Sequence, residues 1–200
     1  FHSKFFKVIF INEYMKYNLQ RYEIPEHIIE FKNNGTNLIV PTVSRDILLH
    51  KHSIPKEKNI ICYIGQFNKQ KNLDLIFSAC EIFESDSNII FLFIGTGEEK
   101  NNFKQKVLKN DLKNVLILDF QEDIHNYFQI FDCLIFPSFY EGLPLTLLEA
   151  ISHKVPTITS NIDGHRGVLT DLSSTISFSP NEPDSLVQGI QFFLDNKSTV

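Results

Sequence analysis

The chain of 200 residues has 42% hydrophobic and 22% charged side chains and a net charge of −5. That balance builds an ordinary soluble-domain core and leaves no basic footprint for nucleic acid. No apolar run approaches the roughly 18 residues needed to cross a bilayer. Cys62, Cys80 and Cys133 are widely spaced, with no CxxC pair and no Cys/His spacing for zinc, and are expected as buried, reduced thiols.

In chain order, short runs rich in Ile, Val and Phe predict strands at 6–11, 37–40, 60–65, 89–95, 115–118, 133–136, 156–159 and 175–178. Continuous apolar runs of this kind suit strands covered on both faces of a parallel sheet. Helical spacing falls between them: Leu73, Ile76, Phe77, Cys80 and Phe83; then Ile124, Tyr127, Phe128 and Phe131; then Leu186, Ile190, Phe193 and Leu194. The alternation predicts an α/β class, a Rossmann-like doubly wound parallel sheet. The polar stretch 45–58 reads as a linker between an incomplete first unit (1–44) and a complete α/β domain (59–200). The chain opens on Phe1 with residues 5–11 already strand-like, so a preceding segment is expected.

Ligands of open parallel sheets bind beyond the carboxyl ends of the strands. Three segments fall there. Gly65 to Asn72 follows a strand and opens a helix; by itself it reads first as a solvated polar turn, with Lys69 and Lys71 as candidates to reach a diphosphate. Gly95-Thr-Gly97 is a lone GxG, read as turn chemistry or as room for a nucleotide. The third, Pro137 to Leu143, runs into a helix expected to start near Leu143, because Pro144 fits a first turn. A strand feeding a helix N-terminus presents free N–H groups and a positive dipole end to a phosphate.

Glu141 and Glu149 flank that anion site and can accept hydrogen bonds from sugar hydroxyls. Were both helical, they would lie about 12 Å apart along the axis. Glu149 sits among Leu147, Leu148, Ala150 and Ile151, a setting in which a carboxylate needs a partner. A paired-carboxylate glycosidase is disfavoured at a strand-end loop beside an anion-binding helix. His153 reads as a helix cap. His125 reads as a helix-surface residue. Arg166, in a turn after a strand, reads as a phosphate contact or a surface ion pair.

Glu141-x7-Glu149, with Pro137-Ser138 before it and Pro156 after it, resembles the signature of retaining GT-B glycosyltransferases of the large group 1 family (family 4). Residues 60–65 followed by Lys71 resemble that family's strand and phosphate loop. Ile90-Phe-Leu-Phe-Ile-Gly-Thr-Gly-Glu98 resembles its VGxGxE unit, and 115–123 its strand and base-proximal turn. Residues 8–19 and 38–42 resemble the end of its N-terminal domain, so the likeness covers nearly the whole chain.

The resemblance implies the nucleotide-sugar-binding half of a two-domain enzyme, joined to the last βαβ portion of the acceptor domain. In that reading Glu149 holds the ribose and Glu141 lies near the donor sugar. Amides around Gly142, Leu143 and Leu145 hold the phosphates, with Gly65, Gln66, Gly95 and Gly97 also at the donor. Lys71 offsets diphosphate charge as the leaving group departs, with no metal and no cofactor besides the donor. The implied partners are a nucleotide-diphosphate sugar and a glycan, lipid-linked or small-molecule acceptor. The implied location is the cytoplasm, at the inner face of a membrane if the missing half attaches there. The chain departs from the pattern at Gln66 (usually Arg), Asn72 (Gly), Pro144 (Gly) and Gly167 (often acidic). Gln66 lacks the fixed charge of arginine, and Lys69 or Arg166 is expected to compensate. The alternatives are a degenerate nucleotide-binding scaffold and, behind it, an epimerase or phosphorylase of related architecture.

Overall fold

The computed structural model describes residues 7–11, 24–32, 35–169 and 175–197. Strands β1 (Val8–Phe10) and β2 (Ile29–Phe31) pair in parallel as a small separate sheet. Helix α1 (Arg45–Lys51) follows. Ser44 caps it, its hydroxyl accepting from the Ile47 N–H at 3.4 Å, and Leu48 and Leu49 anchor it in the core.

The main sheet comprises β3 (Asn59–Ile64), β4 (Ile89–Ile94), β5 (Val115–Leu118), β6 (Cys133–Phe136), β7 (Thr157–Ser160) and β8 (Thr175–Phe178). Its order is β5-β4-β3-β6-β7-β8, and every neighbouring pair is parallel. The helices between the strands are α2 (Leu73–Ile82), α3 (Lys100–Lys109), α4 (Ile124–Tyr127), α5 (Leu145–Ser152), α6 (Asp163–Arg166) and α7 (Pro183–Asn196).

Successive strand residues point to opposite faces, so each strand feeds two cores. On one face Ile61, Tyr63, Phe91 and Phe93 pack with Phe77 of α2, Phe103 of α3 and Phe193 of α7. On the other, Ile60, Cys62, Leu92 and Leu134 pack with Leu48 of α1, Tyr127 of α4 and Leu147 of α5. The three cysteines are free and buried, and burial pushes the Cys62 and Cys80 thiols well up, so they are packing groups, as expected.

Four local expectations need correction. Residues 37–40 form no strand. Leu38, Ile39 and Val40 stand exposed between Gly35 and Pro41, with no strand among the described residues pairing with them, and apolarity alone does not make an extended run a strand. The stretch 45–58, read as linker throughout, opens with helix α1, because the buried Leu48–Leu49 pair outweighs its polar composition. Helix α3 was not foreseen. Only Phe103 and Val107, at i and i+4, mark its buried face besides the stem of Lys100. Helix α5 begins at Leu145, with Pro144 as its N-cap rather than inside its first turn. Of the stretch 8–19 likened to the end of an N-terminal domain, residues 12–19 lie outside the described residues.

Candidate functional site

The sheet order fixes where a ligand crevice opens. From β3 the chain winds outward through β4 to β5. It then returns to lay β6 on the other side of β3 and winds away through β7 and β8. β3 and β6 are therefore the topological switch point, and a crevice opens beyond their carboxyl ends. Two loops frame it, 65–72 after β3 and 137–144 after β6. They are tied together where the Phe139 N–H donates to Gln70 O at 3.0 Å and Gln70 Nε2 donates to Tyr140 O at 2.7 Å.

At this junction Lys71 and Glu141 form an ion pair through Nζ and Oε1, with side chains 21% and 11% exposed. The Ser138 hydroxyl donates to the same Oε1 at 2.7 Å. Lys71 thus keeps ammonium N–H groups for a further acceptor. Asn72, at the position of the expected glycine, adopts the left-handed conformation (φ 48°, ψ 46°) that asparagine tolerates better than most residues. Its side chain donates to Pro180 O at 3.0 Å. The turn that aims Lys71 is therefore preserved without glycine.

A cleft of about 360 Å³ opens past the ends of β3 and β4, lined among others by Gly65, Gln66, Gly95, Phe120, Thr146 and Glu149. Its size falls within the range of small-molecule sites, about 300–1,000 Å³. Glu149 is one helical turn below Leu145, about 6 Å along the axis, and shares the cleft-facing side of α5 with Thr146. Desolvation raises the pKa of its carboxyl above the ordinary value.

The glycine pair after β4 has a structural reason. Gly95 (φ 151°) and Gly97 (φ 147°) occupy backbone that side-chain-bearing residues avoid. A Cβ on Gly95 would overlap the carbonyl oxygen of Gly65, and one on Gly97 the backbone of Phe67. The loop is latched there by Phe67 N–H donating to Thr96 O at 2.7 Å. Gly95→Ala is expected to lose about 1–3 kcal/mol of stability, read by denaturant unfolding. An unchanged midpoint would contradict this account of the loop.

The remaining expected residues divide. Gly142 lies in the loop before α5, where a side chain would meet Ile11, just past β1, at 3.8 Å; Leu143 and Leu145 lead into the helix. Gln66 is exposed at the mouth, where its side-chain oxygen accepts from Asn68 at 3.4 Å. Lys69 lines a different groove of about 580 Å³, shared with Asp74, Lys106 and Phe139. Arg166 is turned to Asn161 (2.7 Å) and Asp163 (3.3 Å). His153 caps α5 as expected, its N–H donating to Glu149 O, and its ring stacks on Phe128 at 4.7 Å.

Three residues at the site were not foreseen. Ser138 orients Glu141. Lys100 is buried and donates to Gly95 O (2.5 Å), Leu118 O (2.7 Å) and Asp119 Oδ1 (2.7 Å), which fixes the cleft wall. A lysine five residues beyond a strand-ending glycine was the available signal. His165 is buried behind Ser160, and burial lowers its pKa, so the ring is held neutral.

The family model for glycosyl transferases group 1 matches residues 44–199. The chain belongs to that family. It is 28% identical over 173 residues to a UDP-Gal:alpha-D-GlcNAc-diphosphoundecaprenol alpha-1,3-galactosyltransferase of Escherichia coli, a match covering 82% of this chain and 44% of that protein. Among solved structures, a glycosyltransferase from Rickettsia africae superposes with a TM-score of 0.82 at 22% identity over 95% of this chain and 53% of that one. HepE of Anabaena, solved with UDP and glucose, superposes with a TM-score of 0.82 at 14% identity over 96% of this chain and 54% of that one. The architecture is that of the GT-B glycosyltransferases. The chain spans about half the length of these relatives.

Proposed function

We propose that this chain is the donor half of a glycosyltransferase that moves a hexose from a nucleotide-diphosphate sugar to a glycan or lipid-linked acceptor. Transfer proceeds with retention and without a metal. The carrying observation is the cleft with the partly desolvated Glu149 one turn inside α5, together with the Lys71–Glu141 pair in the loops that follow the switch-point strands β3 and β6. That order matches a nucleotide laid across the helix start. The ribose hydroxyls reach Glu149, and the diphosphate meets the first N–H groups of α5 and the ammonium of Lys71. As the diphosphate departs, Lys71 and the helix dipole offset its charge.

The relatives' names supply the donor class: a UDP-Gal enzyme and a UDP-bound neighbour make uridine diphosphate the first ligand to try. The division into an acceptor-domain remnant at 1–44 and a donor domain at 59–200 belongs to the same proposal, as does action at the cytoplasmic face of a membrane. No helix among the described residues is long and apolar enough to cross one. The second reading, a nucleotide-binding scaffold without turnover, is favoured by one observation. Gln66 offers no charge at the mouth, Lys69 lines a separate groove and Arg166 is bonded to Asn161.

A thermal-shift panel of nucleoside diphosphates on the full-length protein tests the proposal. A ligand at a hundred times its Kd adds about 2.7 kcal/mol to stability. One diphosphate of the panel is expected to raise Tm; no response to any of them would overturn the donor site.

A further inference from the structure

We propose that His165 is a positioning residue for the Lys71–Glu141 pair, acting through the carboxyl ends of β7 and β6. The inference rests on the reading of the Glu149 cleft as the donor site.

The proton directions in this cluster are fixed by chemistry. A carbonyl oxygen only accepts, so the 2.8 Å contact between His165 Nδ1 and Ser160 O requires the proton on Nδ1. Ser160 Oγ, 3.2 Å from the same nitrogen, then gives its own proton to Ser138 O at 2.6 Å. The Ser138 hydroxyl in turn donates to Glu141 Oε1 at 2.7 Å, the oxygen that also receives Lys71. From the imidazole outward, each donor orients the residue that makes the next contact, and the series ends on the carboxylate that holds Lys71. Helix α6, which carries His165, also touches the same loop directly. Gly164 sits so close to the backbone of Glu141 that a Cβ there would overlap it.

One feature separates positioning from packing. With the proton on Nδ1, Nε2 is a bare acceptor, and it is buried without a hydrogen-bond partner among the described residues, in a residue 1% exposed. A side chain serving the fold alone would be better apolar here, since an orphaned buried acceptor is destabilising. Ser160 O also receives the Ile162 N–H at 2.9 Å and would not be orphaned by loss of the imidazole. Removing His165 is therefore expected to move stability and turnover in opposite directions.

The experiment uses the full-length protein and three versions of residue 165: wild type, His165→Phe and His165→Asn. Asparagine places its amide N–H where Nδ1–H was, while phenylalanine fills the volume without a donor. Tm, UDP affinity by calorimetry, and kcat and KM for UDP-galactose are measured. His165→Phe should keep or raise Tm and bind UDP within about twofold of wild type, yet lose kcat by about 10- to 100-fold, the scale of a small misplacement at a reacting centre. His165→Asn should recover most of that loss. Unchanged kcat in His165→Phe overturns the proposal. So does a fall in kcat matched by equal falls in Tm and UDP affinity, which marks a structural role. Wild-type protein that binds neither UDP nor another nucleoside diphosphate sinks the donor reading itself, an outcome distinct from both.

Discussion

Lys71→Ala is expected to lower kcat for sugar transfer by about 10²–10³-fold, the usual effect of deleting one preorganised donor to developing negative charge. In the resting structure the ammonium is held by Glu141, whose position is set in turn by Ser138. The charge is thus aimed before the donor arrives and needs no reorganisation as the diphosphate departs. The variant leaves Glu141, with a side chain 11% exposed, facing only the Ser138 hydroxyl and the 3.4 Å contact from Gln70. Loss of the ion-pair partner of a mostly buried carboxylate is expected to lower stability by about 1–3 kcal/mol. Steady-state kinetics on the full-length protein, with Tm measured in parallel, separate the two effects. Lys71→Arg keeps the charge but not the compact ammonium and should recover only part of the rate. Wild-type kcat in Lys71→Ala would remove the leaving-group role.

The second large effect is expected at Glu149. On the proposed reading both of its oxygens accept from ribose hydroxyls only when the carboxyl is deprotonated, and bonds to charged groups contribute about 1.5–3 kcal/mol each. Glu149→Gln should therefore weaken nucleoside diphosphate binding by about 10- to 100-fold. The pH dependence follows from the raised pKa. The folded protein takes up a proton at Glu149 at higher pH than the unfolded chain does. Stability from this group is thus greatest at low pH and falls as pH rises through the raised value. Affinity runs the other way, increasing as the carboxyl ionises over the same window, which runs upward from the ordinary carboxylate value. The Gln variant should flatten both profiles in that window. Calorimetric titration against pH reads the affinity, and a pH-independent wild-type Kd there would contradict the role.

The parallel sheet was legible because its strands announce themselves. Asn59–Ile64, Ile89–Ile94 and Cys133–Phe136 are apolar on both faces, and no other common setting tolerates such runs. The same rule failed at 37–40, where an apolar run stands alone beside a proline. Helices α1 and α3 were hidden because tertiary contacts of a few side chains, Leu48 and Leu49 or Phe103 and Val107, carry them against a polar composition. At the candidate site, spacing drew notice to Glu141 and Glu149, and the family resemblance to Lys71, since each is tied to a strand end or a helix start. Spacing could not reveal that Lys71 and Glu141 meet across 70 residues, because that contact depends on β3 and β6 lying side by side. It also missed His165 and Lys100, buried polar groups whose partners are mostly backbone carbonyls and so leave little trace in side-chain spacing. The glycine pair was seen, but its need for positive φ against Gly65 and Phe67 is visible only in three dimensions.

The central claim is that Glu149 meets the ribose of a nucleotide whose diphosphate lies at the start of α5. Its most direct test is a calorimetric double-mutant cycle on the full-length protein, pairing UDP and 2′,3′-dideoxy-UDP with wild type and Glu149→Ala. Wild type should lose about 10-fold or more in affinity on removal of the hydroxyls, and Glu149→Ala should lose almost nothing further. Equal losses from the dideoxy nucleotide in both proteins would place the ribose elsewhere and contradict the account.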